Sequence, residues 1–120
     1  LGIMHDGEAF LPETARILML MGAEILLWSD HCNRPGTEVI MRTRAAENKV
    51  YLMRSGQAAE EDTSAVLDPG GNIMTSTFNG EDMAVAVPMV RALARNKAVV
   101  PTTDVFLSRR PELYRRLLLE

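Results

Sequence analysis

Cysteine is nearly missing from this chain. A single Cys32 among 120 residues excludes an internal disulfide and fits a reducing, cytoplasmic compartment. Long apolar runs are missing too. The longest, Ile17 to Trp28 (ILMLMGAEILLW), is broken by Gly22 and Glu24, which is too short for a membrane span and suits a core helix followed by a core strand. No basic residues precede the first apolar ones, so no signal peptide is read there. A net charge of −3 and the lack of a basic patch with interleaved aromatics give no reason to expect nucleic acid. Repeats, low-complexity tracts and long linkers are absent. Opening on Leu1 directly in an apolar stretch fits either a fragment or a start at Met4 with extra residues before it.

What is present reads as globular. Apolar residues make up 47% of the chain, and its length suits one domain, or part of one, burying roughly two-thirds of its unfolded surface. Leu1 to Met4 is a short apolar strand running into the turn His5-Asp6-Gly7. A helix then opens at Pro12, is lined by Ala15, Leu18 and Met19, and closes at Gly22, with Pro and Gly as its start and stop marks. A strand, sharp turn and helix in this order expose the turn's side chain, which suits a catalytic residue. Glu24 to Trp28 is a continuous apolar run, expected to be a strand buried on both faces.

Ser29 to Gly36 is a polar loop, and Thr37 is placed to cap a helix running through Asn48, with Ile40, Met41 and Ala45 inward. Lys49 to Met53 returns as a strand. Asp68-Pro69-Gly70-Gly71 then joins two strands, Thr63 to Leu67 and Asn72 to Thr77, into a hairpin. Asn79-Gly80 marks another turn, and Met83 to Val87 another strand. Val90 to Lys97 and Arg110 to Leu119 are expected helices. Alternating units followed by antiparallel strands give an α/β fold, a mixed β-sheet with helices packed on one face.

Residues 3–24, IMHDGEAFLPETARILMLMGAE, resemble the nitrilase superfamily of carbon–nitrogen hydrolases, whose pattern is I-C-x-D-G, then F-P-E-x-x-R, then G-A-E. Ile3, Asp6, Gly7, Phe10, Pro12, Glu13, Arg16, Gly22, Ala23 and Glu24 match it. RTRAAENKVY (Arg42 to Tyr51) is similar to the family's R-A-R-A-x-E-N-x-x-Y corner. SAVLDPGGNI (Ser64 to Ile73) is similar to its S-x-x-x-D-P-x-G hairpin, and RRPELY (Arg109 to Tyr114) to its C-terminal segment. The resemblance implies half of a four-layer α-β-β-α sandwich. Residues 1–120 would be the C-terminal half of the domain, with a nucleophile-turn region at 1–24, a helix–strand corner at 37–53, a hairpin at 63–77 and a C-terminal segment at 104–120.

In that family a cysteine thiolate attacks an amide or nitrile, a glutamate serves as base and a lysine stabilises the oxyanion. The resemblance puts the glutamate and lysine upstream, outside this chain, and puts Met4 at the cysteine's position. A thioether has no proton to lose and cannot form a thioester that turns over. Two alignments fit: roughly two residues inserted around Glu8 to Leu11, or an Ile-Cys pair missing between Met4 and His5. Neither leaves a cysteine on the turn. His-Asp-Gly is most like the aliphatic amidase and formamidase branches.

The same resemblance gives His5 an oxyanion-hole role through its backbone N–H, and makes Trp28, Ser29 and His31 lining for a substrate pocket. Asp6, Glu13, Arg16, Arg42, Arg44, Glu47 and Asn48 fall to architecture. Glu13 and Arg16, three apart on one helix face, are expected to pair. A displaced His31–Cys32 thiol–imidazole pair is set aside, because neighbours in a loop rarely aim at each other. Asp30, His31 and Cys32 cannot easily surround one ion, so neither a metal nor a cofactor is expected.

Three functions stay open: a hydrolase half inactive alone, a segment of an active amidase or nitrilase acting on small amides or nitriles, and a non-enzymatic assembly module. Whether the chain is an enzyme is left undecided. A half sandwich leaves one sheet face uncovered, so the expected partner is a second copy or the missing N-terminal half.

Overall fold

The computed structural model describes residues 1–31, 34–57, 63–77, 89–100 and 102–118. The strands β1 (Gly2–His5), β2 (Ile25–Ser29) and β3 (Tyr51–Ser55) run parallel, while β4 (Ala65–Leu67) and β5 (Ile73–Ser76) continue the sheet antiparallel. The spatial order is β1-β2-β3-β4-β5. Helix α1 (Pro12–Leu20) links the first two strands and α2 (Thr37–Asn48) the next two. Two right-handed crossovers stepping the same way along a sheet must put both helices on one face. Accordingly α1 and α2 pack on each other and on the sheet.

Met4, Leu26, Trp28 and Leu52 point into that layer and meet Ala15, Met19, Met41 and Ala45. Burial alternates along β1 and β2, so β2 is not buried on both faces as its apolar run predicts. Ile25 and Leu27 are half-buried on the side away from the helices, and Ile3 there is 70% exposed.

Gly36, with φ 87°, precedes α2, so Thr37 is the first helical residue rather than the cap. Its hydroxyl instead holds Arg34, donating to the carbonyl at 2.8 Å and accepting from the N–H at 3.2 Å. In the hairpin, Gly71 sits at φ 82° and a β-carbon there would lie 2.7 Å from the Arg42 carbonyl, so only glycine fits. The Arg42 guanidinium donates to the Gly71 carbonyl at 3.1 Å and pairs with Glu38 at 2.8 Å.

The five-residue helix α3 (Arg91–Arg95) docks through Glu24, which pairs with Arg91 at 2.6 Å and Arg95 at 2.8 Å. The Tyr51 hydroxyl also accepts from the Val90 N–H at 2.9 Å. A small antiparallel pair, β6 (Ala98–Val100) with β7 (Thr103–Asp104), follows. The expected C-terminal helix is instead two short 3-10 turns, Pro111–Leu113 and Arg115–Leu118, both largely exposed. Without a packed apolar face, so short a segment gains too little to hold an α-helix. The turn at Asn79-Gly80 and the strand at 83–87 lie outside the described residues, as does Cys32. Among the described residues no helix is long and apolar enough to cross a membrane.

Candidate active-site turn

β1 delivers two side chains in opposite directions. Met4 is fully buried on the helix face, and His5, one residue on, is exposed at the carboxyl end of the strand. Across the sheet His5 is in register with Ser29, and Ser29 with Ser55, so these residues line the strand ends where open α/β sheets place ligands. Asp6 then turns the chain at φ 44°, a left-handed conformation that Asp tolerates better than most residues, and a 3-10 helix runs from Asp6 to Phe10.

That strained turn is held from several sides. The Trp28 indole donates from Nε1 to the Asp6 carbonyl at 2.9 Å. Glu8 reaches back so that its Oε2 accepts the His5 backbone N–H at 2.7 Å, half of a reciprocal capping box. The N–H assigned by resemblance to an oxyanion hole is therefore already engaged. Asp6 Oδ1 accepts the His31 backbone N–H at 3.0 Å and meets His31 Nδ1 at 2.7 Å, while Oδ2 lies 3.3 Å from His5 Nδ1. The His31 backbone hydrogen bond, above all, holds the Asp6 carboxyl below the usual carboxylate range.

Beneath the turn, Met4, Trp28 and Arg54 sit side by side in adjacent strands, all buried. Trp28 packs edge-on to Phe10 with centroids 6.2 Å apart, and the Arg54 guanidinium lies 5.4 Å from the indole ring. Arg54 pairs with Asp30 at 2.8 Å, both side chains shielded from water. Of the three expected pocket residues, Ser29 and His31 are exposed and Trp28 is buried as the brace of the turn.

Architecture continues through α2. Arg44, almost wholly buried, donates to the Ala9 carbonyl at 2.7 Å, to the Phe10 carbonyl at 3.3 Å and to Glu47 at 2.5 Å. Asn48 donates to the Arg44 carbonyl at 2.9 Å. Arg16 does not pair with Glu13. Its guanidinium donates to the Glu47 carbonyl at 2.9 Å, because the half-buried Arg16 faces α2 whereas Glu13 is exposed.

Sequence reading missed Glu8 and Arg54, and weighed Asp30 only as a metal ligand. Glu8, three residues after His5, carries the spacing of a capping box and was findable; the Asp30–Arg54 pair has no local signal. An open groove of about 380 Å³, lined by Met19 to Glu24, Ala94, Arg95, Lys97 and Phe106, lies at the opposite, amino end of β2, away from this turn.

The sequence model of the family described as carbon-nitrogen hydrolase matches residues 1–95. The chain belongs to the carbon–nitrogen hydrolase family. It is 30% identical over 121 residues to a nitrilase of Pyrococcus abyssi, covering 96% of this chain and 46% of that protein. Its fold is similar to that of a carbon-nitrogen hydrolase from Helicobacter pylori (TM-score 0.77, 22% identity, 97% of this chain and 48% of that one). An amidase from Nesterenkonia sp. is similar in the same way (TM-score 0.74, 18% identity, 96% of this chain and 42% of that one). This carbon–nitrogen hydrolase chain thus spans about half the length of the relatives it matches.

Proposed function

We propose that this chain is the C-terminal half of a nitrilase- or amidase-like hydrolase domain in which the nucleophile turn has lost its nucleophile. The supporting observation is the direction of Met4: the residue preceding His-Asp-Gly is fully buried against the helices, and the side chains displayed at the strand ends are His5 and Asp6. Neither supplies the thiolate that forms an acyl-enzyme in this chemistry. A mutant of the Nesterenkonia amidase, by contrast, shows Michael addition of acrylamide at its active site cysteine. The base and the oxyanion lysine belong, on this reading, to the other half of the domain, so the chain alone is inactive toward small amides and nitriles.

The same reading supplies a partner. The sheet face opposite the helices carries Ile3 at 70% exposure beside the half-buried Leu27 and Met53, with Leu1 81% exposed at the start of the edge strand. An apolar face on an edge strand calls for cover, and we assign that cover to the N-terminal half of such a domain or to a second copy, in a cytoplasmic setting.

Ammonia release from small aliphatic amides and nitriles tests the proposal. The full chain, alone and mixed with the upstream half of a relative, is expected to release none above buffer. Turnover by either would show that a nucleophile is present and sink the reading.

A further inference from the structure

His5, Asp6 and His31 converge at the exposed end of the sheet from two segments 25 residues apart, a distance that hides them from any reading of local spacing. We propose that these three side chains form a binding site for a divalent transition-metal ion of the zinc class. Each offers one ligand atom, and these atoms all lie within 4.8 Å of one another.

Zinc binds nitrogen and oxygen ligands at about 2.0–2.2 Å, which sets neighbouring ligand atoms of a tetrahedral ion about 3.3 Å apart. His5 Nδ1 and Asp6 Oδ2 are already separated by 3.3 Å. His31 Nδ1 lies 2.7 Å from the other oxygen, Asp6 Oδ1, so the ring must turn toward the oxygen that His5 faces. Any pair of ligand atoms set wider, up to the 4.8 Å that bounds all three, must close to that spacing. Both movements are within the freedom of two exposed histidines. The imidazole rings meet edge to face, interplanar angle 88° with centroids 5.3 Å apart.

The site is also prepared and reachable. Asp6 is pinned from below by the Trp28 indole and from the side by the His31 N–H. The three side chains are 60%, 31% and 55% exposed, in chain order, which leaves the outer coordination positions to water. Two imidazoles and one carboxylate favour zinc, cobalt or nickel over magnesium or calcium, which prefer all-oxygen sets. In the metal-bound state each ring coordinates through Nδ1 as the neutral tautomer, with its proton on Nε2. The site stands apart from the hydrolase reading, since a chain inert toward amides can still hold zinc.

Titration of the full chain with zinc chloride, followed by calorimetry and by the imidazole 15N resonances, decides the matter. One zinc ion per chain is expected, with the resonances of both His5 and His31 shifting together. His5→Ala, His31→Ala and Asp6→Asn should each weaken binding at least tenfold, and Cys32→Ser should leave it within twofold. No binding, a shift confined to one histidine, or affinity lost in Cys32→Ser but kept in His5→Ala would each overturn the site. The wild-type spectra decide even if a variant fails to fold.

Discussion

The indole Nε1–H of Trp28 donates to the carbonyl of Asp6 at 2.9 Å, so a buried residue of β2 fixes the turn that leaves β1. Trp28→Phe keeps most of the ring's packing and removes only that donor, leaving the Asp6 carbonyl without it. A loss of about 1 kcal/mol in urea unfolding is expected, the usual net worth of one hydrogen bond. The His31 resonances should broaden or move as the Asp6 turn loosens; unchanged stability and spectra would mean the indole bond does not brace the turn.

Arg44 gathers the other side of the same turn, holding the Ala9 and Phe10 carbonyls from α2. Arg44→Ala strands these buried acceptors and the Glu47 carboxylate, and is expected to cost about 3 kcal/mol of stability. Arg44→Lys retains the charge but not the fork that spans several acceptors, so it should recover less than half of the loss. Chemical denaturation of the three proteins reads both values.

Glu24 ties α3 to the start of β2, and its hydrogen bonds from Arg95 and then Arg91 hold its carboxyl below the ordinary glutamate value. A carboxyl lowered on folding adds stability that is complete above its unfolded value, about pH 4.3, and is lost as the pH falls through the lower folded value. Glu24→Gln should therefore be less stable than the parent at pH 7 and equal to it near pH 2. The gap at pH 7 should shrink in high salt, because both arginine side chains are exposed to screening and Glu24 is only half-buried. A gap independent of pH would assign the effect to packing.

Much of the fold is legible in the residues. Pro12 and the φ 95° Gly22 bracket α1, and α2 runs from Thr37 to Asn48 as its apolar spacing predicts. Asp68 and Gly71 mark the hairpin because a side chain that accepts the Gly70 and Asn72 N–H groups, and a residue free of a β-carbon, are local requirements. The site is less legible. The partners of Asp6, Arg16 and Arg54 lie in other elements, and the choice of Glu47 over Glu13 for Arg16 depends on which helix face α2 covers. Parity along a strand, by contrast, was available: Met4 follows Gly2 inward by the two-residue alternation, which is why it joins the core and not the turn.

Met4 points inward, and a cysteine placed there reads that direction directly. In a Met4→Cys, Cys32→Ser chain, reaction with a bulky aromatic disulfide reagent is expected to be negligible while the protein is folded and complete once it is unfolded, with no ammonia released from small amides in the presence of the upstream half. Rapid labelling of the folded chain together with ammonia release would show that position 4 faces the substrate side, and would contradict the account.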